Sequence, residues 1–552
     1  MADTGSAQDH WWRDAVIYQI YPRSFGDADG DGIGDIPGIT DRIDHLAALG
    51  VDAVWLSPFY PSPLADGGYD VADFRGVDPL LGTLGDFDAL VAAAHARGIR
   101  VIIDIVPNHT SEEHPWFVEA LNSPPGSAAR ERYVFRDGKG PDGAEPPSGW
   151  QSRFGGPTWT RLPDGQWYLH LFAREQPDLN WANPEVRAEF LDILRFWSDR
   201  GVDGFRIDVA AALAKDLSEP LREIVQTPDG SGLDEMRANP DHPFLDRPEI
   251  HDIYREWRRV FDSYDPPRVA VAEAWLPSHR QLHYVRADEL HQAFNFEFLR
   301  CPWDADALRD VITTSVDDAS SVGTVATWVR SNHDVVRTPS ALGLPRGTDL
   351  AAWLMTDGTE PPLDLERGLR RARAIALLQF GLPGSNYVYQ GEELGLPEVA
   401  DLPPEVLQDP KWERTGHTVK GRDGCRVPLP WDTQGPSLGF GAALGWLPQP
   451  AGWGGLSVAA QTGDPDSTLE LFRGAIRLRR TLIGAGAGES FAWDADTDKG
   501  DLLAFTRGEH WLVLTNTGAE PVALPDGEVL LASGPLDNGA LPGDTSVWLR
   551  RP

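Results

Sequence analysis

Cysteine, methionine and lysine are all scarce in this chain of 552 residues, with two, three and five copies. Two cysteines, Cys301 and Cys425, cannot staple a chain of this length, which excludes a disulfide scaffold and fits a reducing, cytoplasmic compartment. The first residues, MADTGSAQDHWW, lack the basic start and apolar stretch of a signal peptide. No apolar run approaches the ~20 residues that cross a bilayer. Positive charge is also short: 49 Lys and Arg against 84 Asp and Glu give a net charge of −35. That balance argues against nucleic acid and anionic membranes as partners, because binding a polyanion requires basic patches that displace counterions.

What is abundant is apolar and aromatic material, 41% and 10% of residues, including 21 Trp. At ~100–200 residues per domain the length allows one large domain and one or two smaller ones. Short β-branched or aromatic runs recur at 15–20, 51–58, 99–106, 202–209, 268–275, 293–298, 324–329 and 385–391, and each reads as a buried strand. Helical periodicity fills several intervals between them, at 39–50, 86–98, 184–201 and 368–381. Eight strands alternating with helices predict an α/β chain folded as a (β/α)8 TIM barrel.

The interval 107–177 is too long for a βα loop and rich in Gly, Pro and Trp, so it reads as a subdomain inserted after strand 3. After about 485 alternating strands and turns predict a C-terminal antiparallel β domain. The expected organisation is therefore barrel over 1–106 and 178–484, inserted subdomain over 107–177 and β domain over 485–552.

In such a barrel the functional residues belong at the C-terminal strand ends. Four clusters lie there: Asp104, Asn108 and His109 in DIVPNHT; Arg206 and Asp208 in FRIDV; Glu273 in AEAW; and Asn332, His333, Asp334 and Arg337 in SNHDVVR. Any one of them alone is a rim or core ion pair. Converging carboxylates repel, so at least one is pushed toward holding a proton, while Arg206 keeps its neighbour ionised. An ionised nucleophile beside a protonated acid is the requirement of glycosidic bond cleavage. A divalent-metal hydrolase is the rival reading, weakened by histidines that lack a His-x-x-x-His spacing.

In their order and strand positions, DIVPNHT, GFRIDV, AEAW and SNHD resemble the four signature regions of the α-amylase superfamily of glycoside hydrolases. QPDLNW (176–181) resembles a further region of its α-glucosidase and oligo-1,6-glucosidase branch. The resemblance implies a retaining, exo-acting α-glucosidase acting on maltose-like oligosaccharides. Its nucleophile is Asp208, its acid and base Glu273, its third carboxylate Asp334, and the two reacting carboxyls lie ~5–5.5 Å apart. Around the glucose it places Tyr69, His109, Arg206, His333, Phe172 and Gln176, with an Asp70–Arg337 pair closing the pocket behind the sugar. Asp104 is expected as a buttress. An oligo-1,6-glucosidase, a sucrose hydrolase and a trehalose or isomaltulose synthase share the same triad, and a non-catalytic binding member stands as the remote alternative.

DADGDGIGD (27–35) sets Asp27, Asp29, Asp31 and Asp35 at alternate positions, with glycines allowing a tight wrap. Oxygen ligands of this kind suit Ca2+ or Mg2+. The EF-hand pattern is incomplete, since Gly38 takes the place of its Glu; the resemblance implies a structural ion here, with the Ile33 carbonyl as a further ligand. No organic cofactor is expected. The partner expected is a small oligosaccharide, and the oligomeric state stays open between monomer and homodimer.

Overall fold

The computed structural model describes residues 10–225 and 232–552. Eight strands form one parallel sheet: Val16–Ile20, Ala53–Leu56, Arg100–Ile105, Gly204–Ile207, Val269–Ala272, Gln292–Ala293, Thr327–Val329 and Ser385–Tyr389. Numbered first to eighth, they are ordered 7-8-1-2-3-4-5-6. Strands six and seven share no ladder; the Asn295 amide, donating to the Thr327 carbonyl at 3.1 Å, closes the ring.

Alternation along these strands builds two cores. Ile17, Ala53, Trp55, Ile102, Val271 and Tyr387 fill the barrel interior as one cluster. Their neighbours Val16, Tyr18, Val54, Leu56, Val101 and Ile103 belong to the layer under the helices. This period of two has a functional outcome. Two residues beyond Ile102 and Val271 on the inner face come Asp104 and Glu273, and Arg206 is in register with both Asp104 and Val271. Charged groups thus occupy the interior's C-terminal end by parity.

Local signals set the helices. Thr83 and Asp86 make a reciprocal capping box at Leu84–His95, and Asn183 followed by Pro184 starts Pro184–Asp199. Two expectations fail on caps. The segment 39–50 is two helices, Ile36–Asp41 and Ile43–Leu49, because Asp35 caps the first at the Gly38 amide and Arg42 leaves helical geometry between them. Most of 293–298 is not strand, because the Asn295 side chain accepts from the Phe298 amide and starts the helix Phe296–Arg300.

Within 107–177 three short antiparallel strands, Phe135–Asp137, Trp159–Arg161 and Gln166–Leu169, form their own sheet. A five-stranded antiparallel sheet runs from Ala492 to Arg550 and packs on the helix Leu365–Gly381, where the Trp548 indole donates to the Leu377 carbonyl at 3.0 Å. None of the described helices is long and apolar enough to cross a membrane.

Candidate active site

Arg206 organises the barrel mouth. Its Nη1 donates to Asp208 Oδ1 at 2.6 Å and to Asp104 Oδ1 at 2.8 Å, and its Nη2 lies 3.7 Å from Glu273 Oε2. Asp104 is fully buried and also accepts from Tyr69 Oη at 3.0 Å and Trp55 Nε1 at 3.2 Å, so it anchors the guanidinium from beneath. Glu273 Oε2 accepts the Val209 amide at 2.7 Å, tying this carboxyl to the residue after Asp208. Val209 holds a left-handed φ of +47°, a strained conformation for a β-branched residue.

Burial raises both Asp208 and Glu273, Arg206 opposes the rise, and the charge of Asp334 adds to it. The two carboxyls titrate as a pair. The shorter Arg206 contact is to Asp208, which places the anion there and the shared proton on Glu273. At Asp334 burial pushes upward, but the charges of Arg422, Arg426 and Arg206 outweigh it and hold the carboxyl far below the usual range.

A chain of neutral hydrogen bonds sets the histidines. Burial pushes His333 well below its usual value, so the ring is neutral. Gln19 Nε2 donates to its Nδ1 at 2.6 Å, which leaves the Nε2 proton for Tyr69 Oη, also at 2.6 Å. Tyr69 in turn gives its proton to Asp104 and stacks on the His333 ring at 5.3 Å. His109, lowered to about 4 by burial, has its Nε2 3.2 Å from the Tyr69 carbonyl and its Nδ1 3.1 Å from the Asn108 amide.

A cavity of about 300 Å³ opens over these groups, lined by Tyr69, His109, Phe172, Asp208, Glu273 and Asp334. Gln176 stands behind it and donates to Asp66 at 3.1 Å.

Asp70 and Arg337 do not meet. Asp70 is fully buried and accepts the Ala65 and Asp66 amides at 2.9 and 3.0 Å. Arg337 donates to the Gln390 and Cys425 carbonyls at 3.0 and 2.7 Å. The pair that lines the cavity is Asp66 with Arg422, 2.6 Å apart. Arg422 also bonds Asp409 and, at 3.1 Å, Asp334; Arg426 reaches the same Asp334 oxygen at 3.1 Å. The two misassigned residues stand one layer back. Asp70 shapes the turn that presents Asp66, and Arg337 holds the Cys425 backbone between Arg422 and Arg426. The ADGG turn and the GRDGCR run were the available signals.

Trp431 and Trp453 are core: Trp431 packs on Phe25 and His45, and both belong to the main apolar cluster.

In the loop 27–35, oxygens of Asp27, Asp29 and Asp35 lie within 4.8 Å of one another. Asp31 stands outside this group, and its Oδ1 accepts the Ile33 amide at 2.7 Å. The Gly30 and Gly32 amides bind Asp27, and the Ala28, Asp29 and Gly38 amides bind Asp35. Gly32 is required, because φ is +94° and a Cβ would fall 2.4 Å from the Leu444 carbonyl oxygen. Three gathered carboxylates fit a hard cation.

A barrel with its carboxylates and arginines at the C-terminal mouth defines a glycosidase-type site, and residues 19–485 match the α-amylase catalytic domain model. The chain belongs to that family of glycoside hydrolases. It is 41% identical over 523 residues to a probable alpha-glucosidase of Rhizobium meliloti, covering 90% of this chain and 87% of that one. It is 36% identical over 497 residues to trehalose-6-phosphate hydrolase of Escherichia coli, covering 85% and 84%. The solved structure of an alpha-glucosyl transfer enzyme, XgtA, aligns with a TM-score of 0.82 at 37% identity over 98% of this chain and 99% of that one.

Proposed function

We propose that this protein is a retaining, exo-acting α-glucosidase that releases terminal non-reducing α-linked glucose from maltose-like oligosaccharides. The observation that carries the reading is the cavity holding Asp208 and Glu273 together with the Asp66–Arg422 pair, a space of single-sugar size. Glu273 gives its proton to the leaving oxygen while Asp208 bonds the anomeric carbon. Glu273, now anionic, takes a proton from water, whose oxygen displaces Asp208 and restores the α configuration. A sugar hydroxyl in place of water gives transglucosylation. Asp334, the two neutral histidines and the Asp66–Arg422 pair bind the hydroxyls of the sugar.

Maltose, isomaltose, sucrose and trehalose, each scored for free glucose against rearranged disaccharide, test this reading. Fast release of α-glucose from maltose is expected; rearrangement of sucrose without release would replace it with an isomerase. Oligo-1,6-glucosidases stand among the relatives at 34–36% identity, so isomaltose is the decisive comparison.

We further propose that Asp27, Asp29 and Asp35 hold one structural Ca2+ or Mg2+ ion. Two buried, unpaired cysteines fit a cytoplasmic setting.

A further inference from the structure

Beside the catalytic cavity lies a larger one, of about 690 Å³. The two share Trp275, Asp334, Val335, Lys411 and Arg422. Trp275 follows Glu273 by two residues and is held flat against Phe296, 3.9 Å between ring centres. Through Trp275 the larger cavity adjoins the site next to Glu273, and through Asp334 and Arg422 it also reaches the groups over the sugar.

Its charge is unlike that of the chain. In a protein of net charge −35 it is lined by five arginines and one lysine against two carboxyl groups, Asp334 and Glu398. Burial pushes Glu398 up to about 7, which weakens its negative charge near neutral pH. Arg300, Arg346 and Arg371 are each paired with a carboxylate outside the lining, Asp234, Asp304 and Asp544, and Arg422 is paired with Asp66 and Asp334.

Two of the cations lining the cavity have no ion pair among the described residues. Arg330 is buried, donates to the Phe298 carbonyl at 2.7 Å and has no ion-pair partner. Lys411 stands in the first turn of the helix Pro410–Arg414, at the junction of the two cavities, with neither a hydrogen bond nor an ion pair from its ammonium. Burial and the nearby Arg422 lower its affinity for the proton, opposed through space by Asp409, Asp334 and Asp66, none of which pairs with it. A desolvated ammonium without a partner is costly, and a ligand anion relieves that cost.

We propose that the larger cavity binds an anionic leaving group, a carboxylate or phosphate carried on the alcohol that departs from glucose, and that Lys411 is its specificity-determining contact. This rests on the α-glucosidase reading and names the substrate class within it. The anionic group takes no part in bond making. It positions the alcohol whose oxygen Glu273 protonates, and it occupies the charge that Lys411 and Arg330 leave open.

The test compares kcat/KM on neutral and anionic partners: maltose against 4-O-α-glucosyl-gluconate for a carboxylate, and trehalose against trehalose 6-phosphate for a phosphate. The wild-type enzyme should favour at least one anionic partner by about tenfold or more, with the preference shrinking as NaCl rises. Whichever arm shows it identifies the anion. Lys411→Met should lower the anionic substrate about tenfold more than its neutral partner, and Lys411→Arg should restore the preference. Melting curves report whether each variant is folded; the wild-type ratio and its salt dependence need no variant. Equal rates on both partners, or equal losses in Lys411→Met, would overturn the proposal. Failure on every substrate, 4-nitrophenyl α-glucoside included, would instead remove the α-glucosidase reading.

Discussion

Two clusters of carboxylates among the described residues are compensated in opposite ways. In the loop 27–35 the compensation is local and neutral: backbone amides within a few residues bind Asp27, Asp29 and Asp35. At the barrel mouth it is remote and charged: Arg206, Arg422 and Arg426 serve Asp208, Glu273 and Asp334. Amides keep carboxylates together as anions with lone pairs to offer, which suits a cation. Guanidiniums at unequal distances split the protons between neighbours, which suits acid and nucleophile.

The largest effect that tests the contrast is at Asp208. Asp208→Asn should lower kcat by about four orders of magnitude or more on every substrate, since no other group is placed to attack. Single-turnover kinetics should show substrate bound and no intermediate.

Glu273→Gln comes next. It should be severe on maltose, about a thousandfold, and milder on an aryl glucoside whose leaving group departs unaided. Azide should partly restore turnover and yield the β-glucosyl azide; an α product would overturn the assigned roles. Glu273 is raised and must be protonated to act, so wild-type activity falls as pH rises through its titration. The variant has no such proton to lose, so its alkaline limb on the aryl glucoside should vanish.

Asp66→Asn should lower kcat/KM on maltose about 10–100-fold, the worth of one or two hydrogen bonds to a charged group. Comparable activity on long starch and on maltose in the wild-type enzyme would show an open cleft and remove the role given to this pair.

The smallest effect belongs to the loop. Because amides already support its carboxylates, removing divalent ions should lower Tm by a few degrees and leave kcat at moderate temperature nearly unchanged. Unchanged Tm would sink the cation site.

The difference between the clusters also explains what was legible in the sequence. Strand parity put Asp104, Arg206, Asp208 and Glu273 on one inner face, and the eight-strand alternation carried the barrel. Asp70 and Arg337, the pair implied by the resemblance, each lie near a site residue in the chain, Tyr69 and Asp334, but that nearness does not bring their side chains into the cavity. The carboxylate four residues earlier, Asp66, points into the cavity, and its partner Arg422 lies 356 residues away, where no periodicity connects them. The helix inside 293–298 was hidden by aromatic residues that suit strand and helix core alike, and the Asn295 cap decided it.

The open seam between strands six and seven has a consequence for how the enzyme wears out with heat. Asp208 and Glu273 follow strands four and five, whose ladder is continuous. Asp334 follows strand seven, across the seam from strand six, where one amide bridges the wall. Loosening there parts Asp334 from Glu273 while sparing Asp208 and Glu273, the two groups proposed to make and break bonds. A warmed enzyme should therefore lose its hold on the sugar before its chemistry, and amides at 292–295 should exchange ahead of the rest of the barrel.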